Sequence, residues 1–193
     1  LKHVYKREFT EDEVMLTGTA APGAPALGAQ WNMTNQNGQP AHVRLINSET
    51  SGGGNYYISG MQSAFVDNND FYDQGLALNG VKQATVTNNT FQDIDGSISA
   101  NGGANPQHRG LVIEDAWGTT GIENVTVTGN TFENITVEDG AIAFQRFTGG
   151  SPADVAEIDR LSDILIQDNT FTNAPEQPIF VNVLHAFTRM RLA

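Results

Sequence analysis

One short motif recurs four times at matching places in the chain: Asn69-Asp70-Phe71, Asn89-Thr90-Phe91, Asn130-Thr131-Phe132 and Asn169-Thr170-Phe171. Successive copies lie 20, 41 and 39 residues apart (69 to 89, 89 to 130, 130 to 169), so one period is about 20 residues and two copies carry insertions. Self-similarity at a fixed period constrains the fold more than any single residue, because each repeat is one unit that cannot bury its own apolar face. Aligning on the motif brings further positions into line. Ala64 and Val66, Ala84 and Val86, Val125 and Val127, and Ile164 and Ile166 precede it, and Met61, Val81, Ile122 and Leu161 precede those. Two residues after each Phe stands Asp73, Asp93, Asn134 or Asn173. A second apolar run then follows, Leu76-Ala77-Leu78, Leu111-Val112-Ile113, Ala141 to Phe144 and Ile179-Phe180-Val181.

The apolar residues alternate with Thr, Gln and Asp at period two, which is the pattern of a half-buried strand. Each repeat then holds two or three short strands, and stacking the repeats buries a continuous core. The fixed Asn falls where the chain must turn, and Asn tolerates the left-handed backbone region. Stacked turns set Asn69, Asn89, Asn130 and Asn169 in one column, where their amides can bond up and down, and set Phe71, Phe91, Phe132 and Phe171 in another inside the core.

The pattern V-x-V-x-x-N-x-F-x-[DN], seen in Val125–Asn134 and with Ile for Val in Ile164–Asn173, resembles the right-handed parallel β-helix of the pectate-lyase-like superfamily, over about residues 56 to 183. The resemblance implies an all-β chain, a right-handed parallel β-helix of about five or six coils. Members include polysaccharide lyases, glycoside hydrolases, epimerases, phage tailspikes and non-catalytic surface proteins, so the fold leaves the function open. The chain lacks an Arg-x-Pro-x-x-Arg stretch like that of pectate lyases. It also lacks the Asn-Thr-Asp, Asp-Asp, Gly-His-Gly and Arg-Ile-Lys set of polygalacturonases.

At 193 residues the chain suits one domain. At about 4.8 Å per coil, five or six coils make a stub roughly 25–30 Å long, short beside the enzymes it resembles. The formal net charge of −12 argues against nucleic acid and anionic membrane surfaces, which need a basic patch. There is no cysteine, hence no disulfide or thiolate chemistry, and no apolar run reaches 18 residues, so no insertion of a helix into a membrane is expected. The opening on Leu1 reads as a mature or trimmed product. Sequons stand at Asn32, Asn88, Asn124 and Asn134, where abundant turn Asn and Thr account for them without glycosylation.

Three regions follow from composition: an N-terminal cap and loop over 1–40, the parallel β-helix over 41–183, and a C-terminal cap or contact tail over 184–193. Thr10-Glu11-Asp12-Glu13 reads as a capping box before Val14-Met15-Leu16, which predicts a short N-terminal capping helix over the open end of the solenoid. Residues 18–40, rich in Gly, Pro, Ala, Asn and Gln, read as loop. Insertions at 97–109, 115–121 and 145–160 leave the coils, the last two from one corner, and neighbouring loops on one side of a solenoid form its usual binding face.

The richest polar cluster is His108, Arg109, Glu114 and Asp115, with Trp117 nearby and Arg146 one coil away. For a polysaccharide-cleaving enzyme, Arg109 and Arg146 would hold a substrate carboxylate and Glu114 and Asp115 would serve as acid and base. Trp117 and His108 would contact the sugar. Ordinary corner composition explains the same residues without chemistry. Asp67 and Asp70 lie in an oxygen-rich stretch that suits calcium, which takes six to eight oxygens, and no other cofactor is suggested.

The expectation is an extracellular or cell-surface β-solenoid module, structural or carbohydrate-contacting, non-catalytic and self-associating. Its partners would be further copies of itself and polysaccharide. The alternatives are a polysaccharide lyase or glycoside hydrolase, and a phage or surface adhesin fragment.

Overall fold

The computed structural model describes residues 8–12, 15–17, 31–34, 42–51, 55–94, 109–115, 122–137, 140–146, 161–182 and 187–193. These hold nineteen strands and no helix. The strands run in threes: β1 (Glu8–Asp12), β2 (Met15–Thr17) and β3 (Trp31–Thr34), then β4 (His42–Ile46), β5 (Glu49–Ser51) and β6 (Asn55–Ser59). Next come β7 (Ser63–Asp67), β8 (Asp70–Tyr72) and β9 (Gly75–Asn79), then β10 (Gln83–Thr87), β11 (Thr90–Gln92) and β12 (Leu111–Asp115). The last are β13 (Ile122–Thr128), β14 (Thr131–Glu133) and β15 (Ile142–Arg146), then β16 (Leu161–Gln167), β17 (Thr170–Thr172) and β18 (Ile179–Asn182), and finally β19 (Phe187–Leu192).

Every third strand pairs in parallel, which builds three sheets. The first is β1-β4-β7-β10-β13-β16-β19, the second runs from β2 to β17 and the third from β3 to β18. The chain is therefore a parallel β-solenoid with six complete three-strand coils and one further strand. Period two sorts the side chains. In the first sheet Ala64, Ala84, Val125 and Ile164 lie in register, as do Val66, Val86, Val127 and Ile166, and all are buried. In the second sheet Phe71, Phe91, Phe132 and Phe171 form one stack, with ring centroids 4.8, 4.8 and 5.2 Å apart and planes within 11°. The spacing is that of the strands themselves, so ring stacking and backbone pairing are satisfied together. The third sheet departs from the alternation. Leu76, Leu111 and Ile142 face the core, yet the intervening Ala77, Val112 and Ala143 are also buried, at 2, 1 and 0% exposure. In these three coils the outward positions are buried as well.

The turn between the first and second sheets carries the Asn column. Asn69 Nδ2 donates to Asn89 Oδ1 at 2.8 Å, Asn89 to Asn130 at 2.9 Å and Asn130 to Asn169 at 2.9 Å. Each Oδ1 also accepts the backbone N–H of the coil before: Ser48 onto Asn69, Asn69 onto Asn89, Asn89 onto Asn130 and Asn130 onto Asn169. The left-handed backbone does not fall on these Asn residues, as the sequence suggested. It falls one position earlier, on Asn68, Asn88, Gly129 and Asp168 (φ 56, 54, 68 and 54°). It returns at the next turn on Asp73, Asp93, Asn134 and Asn173 (φ 49, 56, 54 and 49°). The ladder Asn is freed from the turn's backbone demand, and its amide serves the column and the carbonyls of its own and the preceding coil.

The predicted N-terminal capping helix is not what the described residues form. Glu8–Asp12 and Met15–Thr17 are strands, and Phe9 pairs in register with Val43 and Leu16 with Thr50. A capping box is a local signal of about 1 kcal/mol, and the preformed edge of the next coil offers a full row of backbone hydrogen bonds instead. Trp31–Thr34, inside the stretch read as loop, is the third strand of that first coil, and Phe187–Leu192 adds a seventh strand to the first sheet.

Candidate functional site

Of the candidate catalytic residues, Arg109, Glu114, Asp115 and Arg146 fall on or beside two paired strands of the third sheet. Arg109 sits immediately before Gly110 and β12, and it is 1% exposed with its guanidinium 5.1 Å from the centroid of the Phe180 ring. Room for this path comes from small residues. A side chain at Gly110 would meet the Phe132 ring at 2.8 Å and the Ala141 carbonyl at 2.9 Å. Glu114, five positions on and the fourth residue of β12, is 3% exposed and lies in register between Asn79 and Gln145, whereas Arg109 precedes the strand. Asp115 and Arg146 are register partners at its trailing end, beside Glu114. Segments 116–121 and 147–160 join β12 to β13 and β15 to β16, in consecutive coils. His108 and Trp117 lie outside the described residues.

The calcium candidates are engaged otherwise or apart. Asp67 Oδ1 accepts Thr87 Oγ1 at 2.6 Å and Asn88 Nδ2 at 2.9 Å. Asp70 is exposed on the second sheet, in register between Glu49 and Thr90. Among the described residues no three His, Asp or Glu side chains gather into a metal-holding group. The acidic row acts instead on Tyr72. Negative charge from Asp70 first, then burial, then Glu49 and Asp93, pushes the phenol above the ordinary tyrosine value.

A different surface emerges on the outer face of the first sheet. In β4 the alternation buries Val43 and Leu45, at 1 and 0% exposure, and turns His42 and Arg44 outward. In β7 it buries Ala64 and Val66 and leaves Ser63 and Phe65 half-exposed. Register then sets His42 beside Ser63 and Arg44 beside Phe65. His42 Nδ1 and Ser63 Oγ are hydrogen-bonded at 2.7 Å. The Arg44 guanidinium lies 5.3 Å from the Phe65 centroid, a cation–π pair. On the other side of β4, Glu8 is the register partner of His42 and Thr10 that of Arg44. His42, Val43, Arg44, Ser63 and Phe65 line an open groove of about 340 Å³.

Chemically the groove offers a flat cation, an aromatic ring and a polar pair. The guanidinium over Phe65 keeps its N–H groups as donors. The His42–Ser63 pair retains an outward donor in either tautomer, the imidazole Nε2–H or the serine O–H. The motif alignment missed this surface because coil 42–59 carries Ser48 and Thr50 where later coils carry Asn and Phe. The available signal was the strict alternation His42-Val43-Arg44-Leu45 one coil ahead of Ser63-Ala64-Phe65-Val66. The chain matches no protein-family model, no curated protein and no solved structure.

Proposed function

We propose that this chain is a saccharide-contacting module on a right-handed parallel β-helix of the pectate-lyase-like kind, extracellular or at a cell surface, that does not cleave the glycan chain. The observation that carries the reading is the first-sheet groove, where Arg44 stacked on Phe65 stands beside the His42–Ser63 pair. Saccharides are held by ring faces and by directional bonds to hydroxyl groups, and this groove supplies an aromatic edge and several donors on a rigid sheet. Rows of Thr85 with Thr126 and Thr87 with Thr128 continue the polar face along neighbouring coils. No cofactor enters the reading. Affinity electrophoresis through gels holding neutral and acidic polysaccharides tests it. Retardation by at least one polysaccharide, reduced in Phe65→Ala and Arg44→Ala, is expected, and migration independent of every polysaccharide would overturn it.

Self-association belongs to the same proposal. Val181 (39% exposed) and Leu192 (58% exposed) present apolar side chains on the last described coil. The first-sheet strand β1 carries Glu8, Glu11 and Asp12, whereas β19 carries Arg189 and Arg191. Opposite charge on strands of one sheet favours contact between copies.

A further inference from the structure

We propose that Ser63 is an acyl-accepting nucleophile and His42 its general base, which would make the first-sheet groove an esterase site for carboxylic esters that carry an anionic group. The inference goes beyond saccharide contact and stands or falls separately from it. Its basis is a geometric coincidence across two neighbouring strands. Ser63 Oγ and His42 Nδ1 are 2.7 Å apart, within the reach that a nucleophile and its base need. Both sit on an open groove of about 340 Å³ rather than in the packed interior. Register across β4 and β7 pairs His42 with Ser63, so the imidazole and the hydroxyl stand side by side on one sheet face. A nucleophile within hydrogen-bond reach of its base is the core of nucleophilic serine chemistry. Arg44, two positions along β4 and held over Phe65, supplies positive charge beside the pair for an anionic substituent.

The step balances as follows. With Nδ1 unprotonated, the Ser63 O–H gives its proton to His42 as Oγ forms a bond to the ester carbonyl carbon and the carbonyl electrons move onto oxygen. Collapse of that tetrahedral species breaks the bond to the alkoxy oxygen, which takes the proton back from His42 and leaves as an alcohol. Water then attacks the acyl-serine, its proton passes through His42 to Ser63 Oγ, and the carboxylic acid departs. The sum is ester plus water giving acid plus alcohol, with no oxidant, metal or cofactor consumed.

The test uses the whole chain with the mono-nitrophenyl ester of a dicarboxylic acid as the anionic substrate and nitrophenyl acetate as the neutral one. Turnover with an initial burst is expected. Ser63→Ala and His42→Ala should each lose about 100-fold or more in kcat, the lower range for a positioned base or nucleophile. Arg44→Ala should raise KM for the anionic ester more than for the neutral one. A phosphonate reagent should leave one adduct, on the peptide containing Ser63, and none in the His42→Ala protein. Circular dichroism confirms that these surface variants stay folded. An adduct elsewhere, no adduct, or turnover that survives Ser63→Ala would overturn the proposal. Polysaccharide retention, read on the same variants, reports the binding reading independently.

Discussion

Asn89 donates its side-chain amide to Asn130 Oδ1 across 2.9 Å, although 41 residues of chain separate them. The bond has the same length as that between Asn130 and Asn169 and nearly that between Asn69 and Asn89, which are 39 and 20 residues apart. An insertion of about one extra period changes nothing at the turn, because the column is set by strand stacking and the extra residues leave elsewhere in the coil. Asn89 Nδ2 also bonds the Thr87 and Val66 carbonyls, so one 1%-exposed side chain ties three coils together.

Replacing Asn89 should therefore cost more than one hydrogen bond. Asn89→Ala orphans the buried Asn69 N–H, at about 1–3 kcal/mol, and removes the amide bonds to Asn130, Thr87 and Val66 as well. A loss of roughly 3 kcal/mol or more is expected in urea unfolding. Asn134→Ala, on the exposed ladder joining Asp93 and Asn173, should cost under about 1 kcal/mol. Equal losses would show that burial does not set the value of these ladders.

The Phe column predicts a position-dependent cavity cost. Phe132 is fully buried between Phe91 and Phe171, and Phe132→Ala should destabilise by about 3–5 kcal/mol. Phe171 is only partly buried, so Phe171→Ala should cost clearly less. Chemical denaturation of both variants checks the order.

Thr50 occupies the column position that Phe71 fills one coil later, and its buried hydroxyl has no hydrogen-bond partner among the described residues. Thr50→Val keeps the shape and removes the orphaned oxygen. A gain of about 1 kcal/mol is expected in the unfolding midpoint at constant slope. A loss of stability would mean that the hydroxyl is worth more than its desolvation.

Tyr72 gives a pH dependence. Its pKa is raised, chiefly by the Asp70 charge, so the folded protein holds the phenolic proton more tightly than the unfolded chain does. That contribution is complete below the unfolded value, about pH 10, and is lost as pH rises through the folded value. Alkaline titration of phenolate absorbance should show Tyr72 ionising late, and Asp70→Asn should bring it earlier. Tyr72→Phe should lessen the fall in stability above about pH 10. No change in the titration with Asp70→Asn would refute the assigned cause.

Self-association is checked by light scattering over a concentration series. Val181→Glu with Leu192→Glu should shift the average mass down toward the 20.8 kDa chain, and added salt should do so in part. A mass fixed at one chain at every concentration removes the proposal.

Much of the architecture is legible in the four motif copies. Period-two alternation selects inward residues on a strand without knowledge of its neighbours, and a recurring Asn-x-Phe sets equivalent residues above one another once strands stack. Val86, Val127 and Ile166 therefore meet in register, and so do the four Phe rings. The candidate site was far less legible. Arg109 and Glu114 are near in sequence, but Arg109 precedes β12 while Glu114 lies within it, and their burial depends on packing outside the repeat pattern. His42 and Ser63 are 21 residues apart and meet because register, not local spacing, pairs them.

By itself the sequence determined that this chain builds parallel coils with an Asn column and a Phe column, because those features depend on side-chain periodicity and on repeat length. Only the tertiary structure decided the rest. It turned Glu8–Asp12 and Met15–Thr17 into strands, because a neighbouring strand edge outbids a local cap. It moved the left-handed backbone to Asn68 and Asn88, because the column needs the following Asn in an orientation the turn alone does not specify. And it assembled the groove at His42, Arg44, Ser63 and Phe65, because lateral neighbours in a parallel sheet are chosen by stacking over a whole coil.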